Sequence, residues 1–347
     1  MTIMHTDTAI DSLENSFNIV GHDATKKLIM VASAAAKARN EALPHMLFSG
    51  LAGTGKTTFA MGVAKVANVG FLPVSPDDMT SMESVLATLD KINNDGYNRY
   101  GDRLGKDRPI YPTIIFFDEI HRMPRKGQEI LGIAMEKFQV ESGKPNKFFW
   151  IPYFTIIGAT TDDGELTKPF REKFKLRFIF ETYEFVDMVK IINFHARLKG
   201  IDITPKAARL IAERSRGVPR LAVNYLERGR DYAHSISAGI VTTANVSSAF
   251  DQMKIDSKGL SPTEMKILKI LYSAREPIGL DNLSIITNES QKNIKNTVEP
   301  YLIQQGLILR AGRGRVITDA GRKHLESYGF EGRIIDKAEI EAGYVRS

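Results

Sequence analysis

Residues 50–57 read Gly-Leu-Ala-Gly-Thr-Gly-Lys-Thr, and no other stretch restricts the fold of this chain as strongly. The octapeptide matches the full Gly-x4-Gly-Lys-[Ser/Thr] pattern of a phosphate-binding loop. Glycines let successive backbone N–H groups curl around anionic oxygens. A helix starting at the end of the loop turns its positive pole toward the same anion. The flanks comply: the apolar run 45–50 reads as a buried strand and 57–68 as a helix, which together make an α/β unit. Gly50, Gly53, Thr54, Gly55, Lys56, Thr57 and Thr58 are therefore candidate nucleotide-binding residues. Lys56 is expected to reach the β- and γ-phosphates and the Thr57 hydroxyl to ligate a metal, so ATP and Mg²⁺ are the expected ligands.

Such a loop hydrolyses nothing by itself; it needs carboxylates on a neighbouring strand. Ile114-Ile115-Phe116-Phe117-Asp118-Glu119 supplies four apolar residues and then two acids. Asp118 is expected to support Mg²⁺ through water, and Glu119 to polarise the attacking water. A third apolar run, Ile156-Ile157-Gly158-Ala159-Thr160-Thr161, ends in two hydroxyls. A hydroxyl between the two nucleotide motifs can hold that water near the γ-phosphate, although threonine at a strand end also follows from β-propensity alone.

The chain has 347 residues, enough for two or three domains at roughly 150 residues each. Apolar residues at 43% and charged residues at 25% argue against wholesale disorder. Cysteine is absent, which excludes disulfides, thiolate metal sites and cysteine nucleophiles. The net charge of +6 permits a polyanionic partner without demanding one. No uncharged apolar run reaches the roughly 18 residues of a membrane span, and the first residues lack the pattern of a secretory signal. Residues 22–40 and 126–138 have helical periodicity, 91–112 read as a long surface excursion, and 138–154 as a hairpin around Gly143-Lys144-Pro145-Asn146. From about residue 184 the strands stop and three helices follow, one opened by Thr204 as N-cap with Pro205 after it. Ser261-Pro262-Thr263-Glu264 is a capping box. Further on, LILR and RVIT, joined by a glycine-arginine turn after two or three helices, have the arrangement of a winged helix.

The order of phosphate loop, Asp118-Glu119-Ile120-His121-Arg122, GATT at 158–161 and a helical segment with GVPR resembles the AAA+ ATPases. Arg214-Ser215-Arg216-Gly217-Val218-Pro219-Arg220 and Glu299-Pro300-Tyr301-Leu302-Ile303-Gln304-Gln305-Gly306 narrow the resemblance to the RuvB family, hexameric motors of Holliday-junction branch migration. The likeness runs from about Ile19 to Leu325. Residues 1–16, polar and weakly patterned, read as a flexible arm; the resemblance implies an α/β P-loop AAA+ domain, a parallel sheet flanked by helices, at 17–182. An all-α lid at 183–255, a winged-helix DNA-binding domain at 256–330 and a tail at 331–347 would follow. It also implies that Ile19, Val20 and Tyr183 flank the adenine, that Thr161 is the first sensor with Thr160 beside it, and that Arg220 reaches the γ-phosphate from the lid. DNA contacts would fall on the wing, where Arg310, Arg313 and Arg315 lie within six residues and Arg322 follows. Neutralising three or four phosphates would give log K a slope of roughly −3 to −4 against log salt.

Two features depart from the family pattern. Where the family carries an arginine finger for the neighbouring subunit's ATP, this chain has Lys173, with Arg171 two residues earlier. Either side chain is a candidate for the role; lysine keeps the charge but loses the planar fork. The segment 138–154 is several residues shorter than the family hairpin that docks on RuvA, which weakens the expectation of a RuvA-like partner. Its aromatics, Phe148, Phe149 and Trp150, suit either an interface or packing on the protein's own sheet. The resemblance implies a ring-forming, ATP-driven motor on double-stranded or junction DNA in the bacterial cytoplasm, as a bacterial protein or a phage protein in its host. An AAA+ clamp loader or helicase loader is the alternative, and a nucleotide-dependent DNA-binding regulator a third; Glu119 argues against the last, since a binding-only site does not need that acid.

Overall fold

The computed structural model describes residues 19–39, 41–93, 113–141, 148–151, 153–235 and 239–332. The expected arm at 1–16, the excursion from 94 to 112, the hairpin tip and the tail beyond 332 lie outside the described residues. The chain forms two compact units. The first runs to Gly200 and includes Ser215–Asn224; the second takes Ile201–Arg214 and the chain from Tyr225 onward.

In the first unit, α1 (Asp23–Arg39) precedes β1 (Met46–Gly50), α2 (Lys56–Ala67), β2 (Phe71–Val74), α3 (Met82–Asn93), β3 (Thr113–Phe117) and α4 (Arg125–Lys137). Then come β4 (Gln139–Glu141), β5 (Phe148–Trp150), β6 (Phe154–Thr160), the short α5 (Lys168–Arg171), β7 (Leu176–Phe180) and α6 (Phe185–Leu198). Five strands form one parallel sheet in the order β2-β3-β6-β1-β7. Alternate residues of β1, β3 and β6 enter different cores. Leu47, Ile115, Phe117 and Ile156 join one cluster, and Met46, Phe48, Ile114, Phe116 and Ile157 join the other. A sheet covered on both faces needs continuous apolar strands, which is why TIIFF and FTIIGA carry no polar alternation. β4 and β5 pair antiparallel, Gln139 opposite Trp150, as the hairpin reading expects.

His45 ties the sheet to α4. Its Nδ1 accepts from the Ile156 N–H at 2.9 Å, so its Nε2–H donates to the Met135 carbonyl at 3.1 Å. Burial lowers its pKa to about 4, against a small opposing effect of the Met135 hydrogen bond, and the ring is held neutral.

The second unit contains β8 (Asp202–Ile203), α7 (Pro205–Arg214), most of α8 (Pro219–Ser235), β9 (Ile240–Val241) and α9 (Thr243–Met253). The expectation that strands stop near 184 is corrected by the two-residue parallel pairing of β8 with β9. Thr204 caps α7, its Oγ1 accepting from the Ala207 N–H. The Ser261 capping box is formed: Glu264 accepts from the Ser261 N–H and hydroxyl, and its own N–H donates to Ser261 Oγ. It opens α10 (Pro262–Ser273), followed by α11 (Leu280–Thr287) and α12 (Gln291–Asn293). The helical run continues through a π-wound turn, Ile294–Val298, into α13 (Glu299–Gln304). The wide turn precedes Pro300, whose ring nitrogen has no hydrogen to continue the α-ladder. The antiparallel pair β10 (Ile308–Ala311) and β11 (Gly314–Ile317) makes the wing, and α14 (Asp319–Glu326) closes the unit. Asp256, ahead of α10, is anchored to α14 by a buried 2.6 Å contact with His324 Nε2.

Candidate functional site

Strand order brings the sequence motifs together. β3, β6 and β1 are consecutive neighbours in a parallel sheet, so their carboxyl ends lie side by side. Phe117 pairs with Gly158 and Ser49 with Thr160. The acids after Phe117, the threonines ending β6 and the loop after β1 therefore share one edge of the sheet, the edge where open α/β folds take their ligands.

The loop turns at glycines in conformations that a side chain would strain. Gly53 has φ +83°, and a Cβ there would lie 2.8 Å from Arg220 Cβ and 3.1 Å from Val218 Cγ1. Arg220 N–H donates to the Gly53 carbonyl at 3.3 Å, so the GVPR segment sits directly on the loop. Gly55, at φ +95°, leads into α2. The N–H groups of Gly53, Thr54, Gly55 and Lys56 meet no protein acceptor among the described residues, which is the donor set an anionic oxygen cluster fits. Thr54 Oγ1 donates to the Leu51 carbonyl. Lys56 is buried, and its Nζ donates to the carbonyls of Gly50 at 2.7 Å and Leu51 at 2.9 Å. Burial depresses its pKa, opposed by the charges of Glu119 and Asp118 and reinforced by Arg220. Thr57 is half-buried and Thr58 exposed on the first turn of α2.

Ile19 packs on the core cluster behind β1, beside Val20. Tyr183 N–H donates to the Gly217 carbonyl at 2.8 Å, and its hydroxyl lies 3.6 Å from where a Gly55 Cβ would be. Burial, aided by Asp187, pushes the Tyr183 phenol up to about 12. His22 sits among Phe59, Phe180 and Tyr183 with a buried Nε2 that has no hydrogen-bond partner among the described residues. Nothing in the sequence marks His22; its own positive φ, +55°, and its aromatic surroundings emerge only in the fold.

At the acid end Asp118 is exposed and accepts from the Glu119 N–H. Glu119 adopts a left-handed conformation, φ +50°, and its Oε2 accepts from the Thr161 N–H at 3.2 Å and the Thr161 hydroxyl at 2.9 Å. His121 Nδ1 lies 2.8 Å from Thr160 Oγ1 and 3.3 Å from the same Glu119 oxygen. An exposed carboxylate and a hydroxyl are hard oxygen donors, and Mg²⁺ bound beside phosphates takes only one or two such protein ligands, so Asp118 and Thr57 fit that ion.

Lys173 and Arg171 separate clearly. Lys173 Nζ is paired with Glu136 at 2.7 Å, whereas the Arg171 side chain, half-buried, has no ion pair or hydrogen bond among the described residues.

The wing arginines also divide. Glu299, at 0% exposure, accepts from Arg310 Nε and Nη2 at 3.1 and 2.7 Å and from Arg315 Nε and Nη2 at 2.5 and 3.2 Å. Arg310 and Arg315 face each other across β10 and β11, so one carboxylate gathers both. Arg313, at the exposed tip, has no such partner among the described residues. Arg322 lies over the Tyr272 ring at 4.9 Å and donates to the Tyr272 carbonyl. Sequence reading missed Glu299 as the anchor, although it opens the EPYLIQQG run.

Three family models match consecutive stretches that together span residues 46–326. Residues 46–182 match the ATPase family associated with various cellular activities (AAA), 183–256 the RuvB AAA lid domain and 257–326 the RuvB C-terminal winged helix domain. The chain is 34% identical over 320 residues to the Holliday junction branch migration complex subunit RuvB of Streptococcus equi subsp. equi, covering 90% of both proteins. The chain belongs to the RuvB family. The RuvB subunit of S. equi subsp. zooepidemicus is also 34% identical, over 90% of this chain and 91% of that protein. Among solved structures, the Thermotoga maritima RuvB Holliday junction branch migration motor is 31% identical with a TM-score of 0.74, covering 88% of this chain and 95% of that one. A point mutant of T. maritima RuvB gives a TM-score of 0.76. The expected fold is therefore borne out: an AAA domain on a five-stranded parallel sheet, a helical lid and a winged helix. As a RuvB-type AAA ATPase the protein binds ATP and hydrolyses it. The named relatives are bacterial, and a phage source finds no support in them. No helix among the described residues is long and apolar enough to cross a membrane.

Proposed function

We propose that the chain is an ATP-driven DNA motor of the RuvB type that moves Holliday junctions in recombination and repair. The single observation that carries the reading is the convergence of Lys56, Asp118, Glu119 and Thr161 on three adjacent strand ends of one sheet. The N–H groups of the Gly50–Thr57 loop and the start of α2, with Thr58, take the phosphates, and Lys56 leaves its two carbonyls to reach the β- and γ-oxygens. Thr57 and Asp118 would hold Mg²⁺, which when bound would neutralise charge on the phosphates. Glu119 accepts the proton of the attacking water while Thr161 fixes its position, and Arg220, seated on Gly53, meets the γ-phosphate. Ile19, Val20 and Tyr183 flank the base. Across a homo-oligomeric ring, Arg171 or Lys173 serves the neighbour's nucleotide; the free guanidinium of Arg171 supports it over Lys173, which must first leave Glu136.

On DNA, Arg313 is the foremost phosphate contact. Arg310, half exposed, and Arg322 contribute beside it, and Arg315 acts mainly by shaping the wing. A bacterial cytoplasmic location fits the bacterial relatives, and the shortness of the 138–154 segment argues against a RuvA-like partner. Lysine at the finger position and the shortened 138–154 segment keep an AAA+ loader as the second reading. A four-way junction assay with ATP, run with and without a RuvA protein, separates the two. A motor converts junctions to duplex arms; a loader leaves them intact and retains a clamp or helicase in a pull-down.

A further inference from the structure

We infer that Gln128 is a positioning residue that sets the segment Thr167–Lys173 for its action on the neighbouring subunit's nucleotide. The inference rests on the reading that Arg171 or Lys173 serves that nucleotide. Arg171 ends α5, which is only four residues long. Isolated helices much shorter than about 12 residues do not hold themselves, so α5 takes its direction from what it is tied to. Its N-cap is Thr167, and a threonine there ordinarily turns its oxygen to an N–H of the first turn. Thr167 makes no such bond. Its hydroxyl and its N–H both donate to Gln128 Oε1, at 3.0 and 2.9 Å.

Gln128 lies in the first turn of α4 at 2% exposure. Its Nε2 donates to the Met123 carbonyl at 2.9 Å. The partners fix the orientation of the amide, since a backbone N–H can only donate and a carbonyl can only accept. Met123 is a firm anchor: it is buried, and its N–H donates to the Ile120 carbonyl at 3.0 Å across the turn Ile120–Arg122. The start of α4 is also pressed close, for a Cβ on Gly127 would lie 2.1 Å from the Met79 carbonyl oxygen. Gln128, Gly132 and Glu136 are spaced by four and so form one row along α4. Each meets the segment. Gln128 holds Thr167 at its start, a Cβ on Gly132 would touch the Phe170 ring at 3.5 Å, and Glu136 pairs with Lys173 at its end. The ion pair is largely exposed and therefore weakly held. The buried amide, with its three bonds made, is the directional tie.

Gln128→Leu removes both ends of that tie. It is expected to lower the kcat of junction-bound rings by about 10- to 100-fold, the scale on which a misplaced group costs rate, with nucleotide Kd unchanged. Thr167→Val, which loses one of two donors, should show a smaller loss, and Thr167→Ser should stay within about threefold of wild type. Complementation separates positioning from folding. Gln128→Leu keeps its own Lys56 and Glu119, so a neighbour with an intact segment should restore it. Glu119→Gln chains are such neighbours and add no hydrolysis of their own. Each site in a head-to-tail ring faces one neighbour, so in one-to-one mixed rings on a four-way junction about half of the Gln128→Leu sites should regain the wild-type single-turnover rate. A role in folding, or on the same subunit's Glu119, gives no recovery. Thr167→Val, mixed in the same way, serves where Gln128→Leu does not fold. Wild-type kcat in Gln128→Leu overturns the inference, as does failure of the mixed rings to recover. The double variant Arg171→Ala, Lys173→Ala tests the reading beneath it. If Glu119→Gln chains do not restore that variant, service of the neighbour's nucleotide fails and the inference with it; if they restore it but not Gln128→Leu, only the inference fails.

Discussion

The nucleotide site and the wing each gather acids and bases, and they settle them in opposite ways. On the wing, Glu299 is wholly buried and takes the nitrogens of Arg310 and Arg315 in a closed set. At the sheet edge, Asp118 lies exposed with, among the described residues, only the neighbouring Glu119 N–H as donor, and Lys56 leans on two backbone carbonyls rather than on an acid. The closed set holds a fold together. The open set leaves an exposed carboxylate and a lysine held only by carbonyls at one sheet edge, the arrangement a charged substrate requires. A cluster of charge in a sequence thus has two meanings, and burial of the acid distinguishes them.

The contrast breaks most visibly through activity. Glu119→Gln should lower ATP turnover by about 10²- to 10⁴-fold, as loss of a general base does, while ATP binding and thermal stability stay near wild type. Single-turnover hydrolysis with parallel calorimetric binding checks this; a variant that loses binding as well would show that the acid is structural, like Glu299.

The mirror experiment is Glu299→Ala. Removing a buried acid leaves the mostly buried Arg315 guanidinium without its carboxylate, so unfolding of the second unit should become easier by about 3–5 kcal/mol. DNA-free ATPase of the first unit should persist. Urea unfolding followed by circular dichroism reads the loss, and an unchanged midpoint would mean the wing pairs contribute nothing.

Acid should weaken the first unit in a way the wing does not share. His45 has its pKa depressed to about 4 by burial, from 6.5 in the free side chain. Its fold therefore favours the neutral ring. The stability it lends is complete above pH 6.5 and is lost as pH falls toward 4, amounting to about 3 kcal/mol at roughly 1.4 per unit. Unfolding free energies between pH 7.5 and 4.5 should show this slope, and His45→Gln should flatten it.

The smallest effect sharpens the wing itself. Arg313→Ala should reduce the salt slope of DNA binding by about 1, the signature of one phosphate contact, with stability unchanged. Arg315→Ala should instead cost stability, since its guanidinium is held by Glu299. Equal salt effects from both variants would erase the distinction between contact and scaffold.

Much of this was legible in the sequence, for reasons that differ by element. The phosphate loop, TIIFF with its acids and the GATT strand stand out because buried parallel strands are continuous apolar runs ending in function. The capping box at Ser261 is readable because its chemistry is local. β2 and β7 were not read. β2 carries Pro73, tolerated because this strand lies at the sheet edge. β7, at the opposite edge, alternates exposed Arg177 and Ile179 with buried Phe178 and Phe180, a weaker pattern. The partners of the wing arginines and of Lys173 were equally hidden. Glu299 and Glu136 are distant in sequence from the cations they hold, and only the fold brings them within reach.

The central claim is that one ATP, gripped at Lys56 and cleaved at Glu119, drives movement of junction DNA. The most direct measurement follows phosphate release and junction conversion together on a single four-way junction, for the wild-type chain and for Glu119→Gln. The account predicts that the wild type does both in proportion, and that Glu119→Gln binds ATP and junction yet performs neither. Junction conversion by Glu119→Gln at the wild-type rate, or ATP consumption by the wild type with every junction left intact, would contradict it.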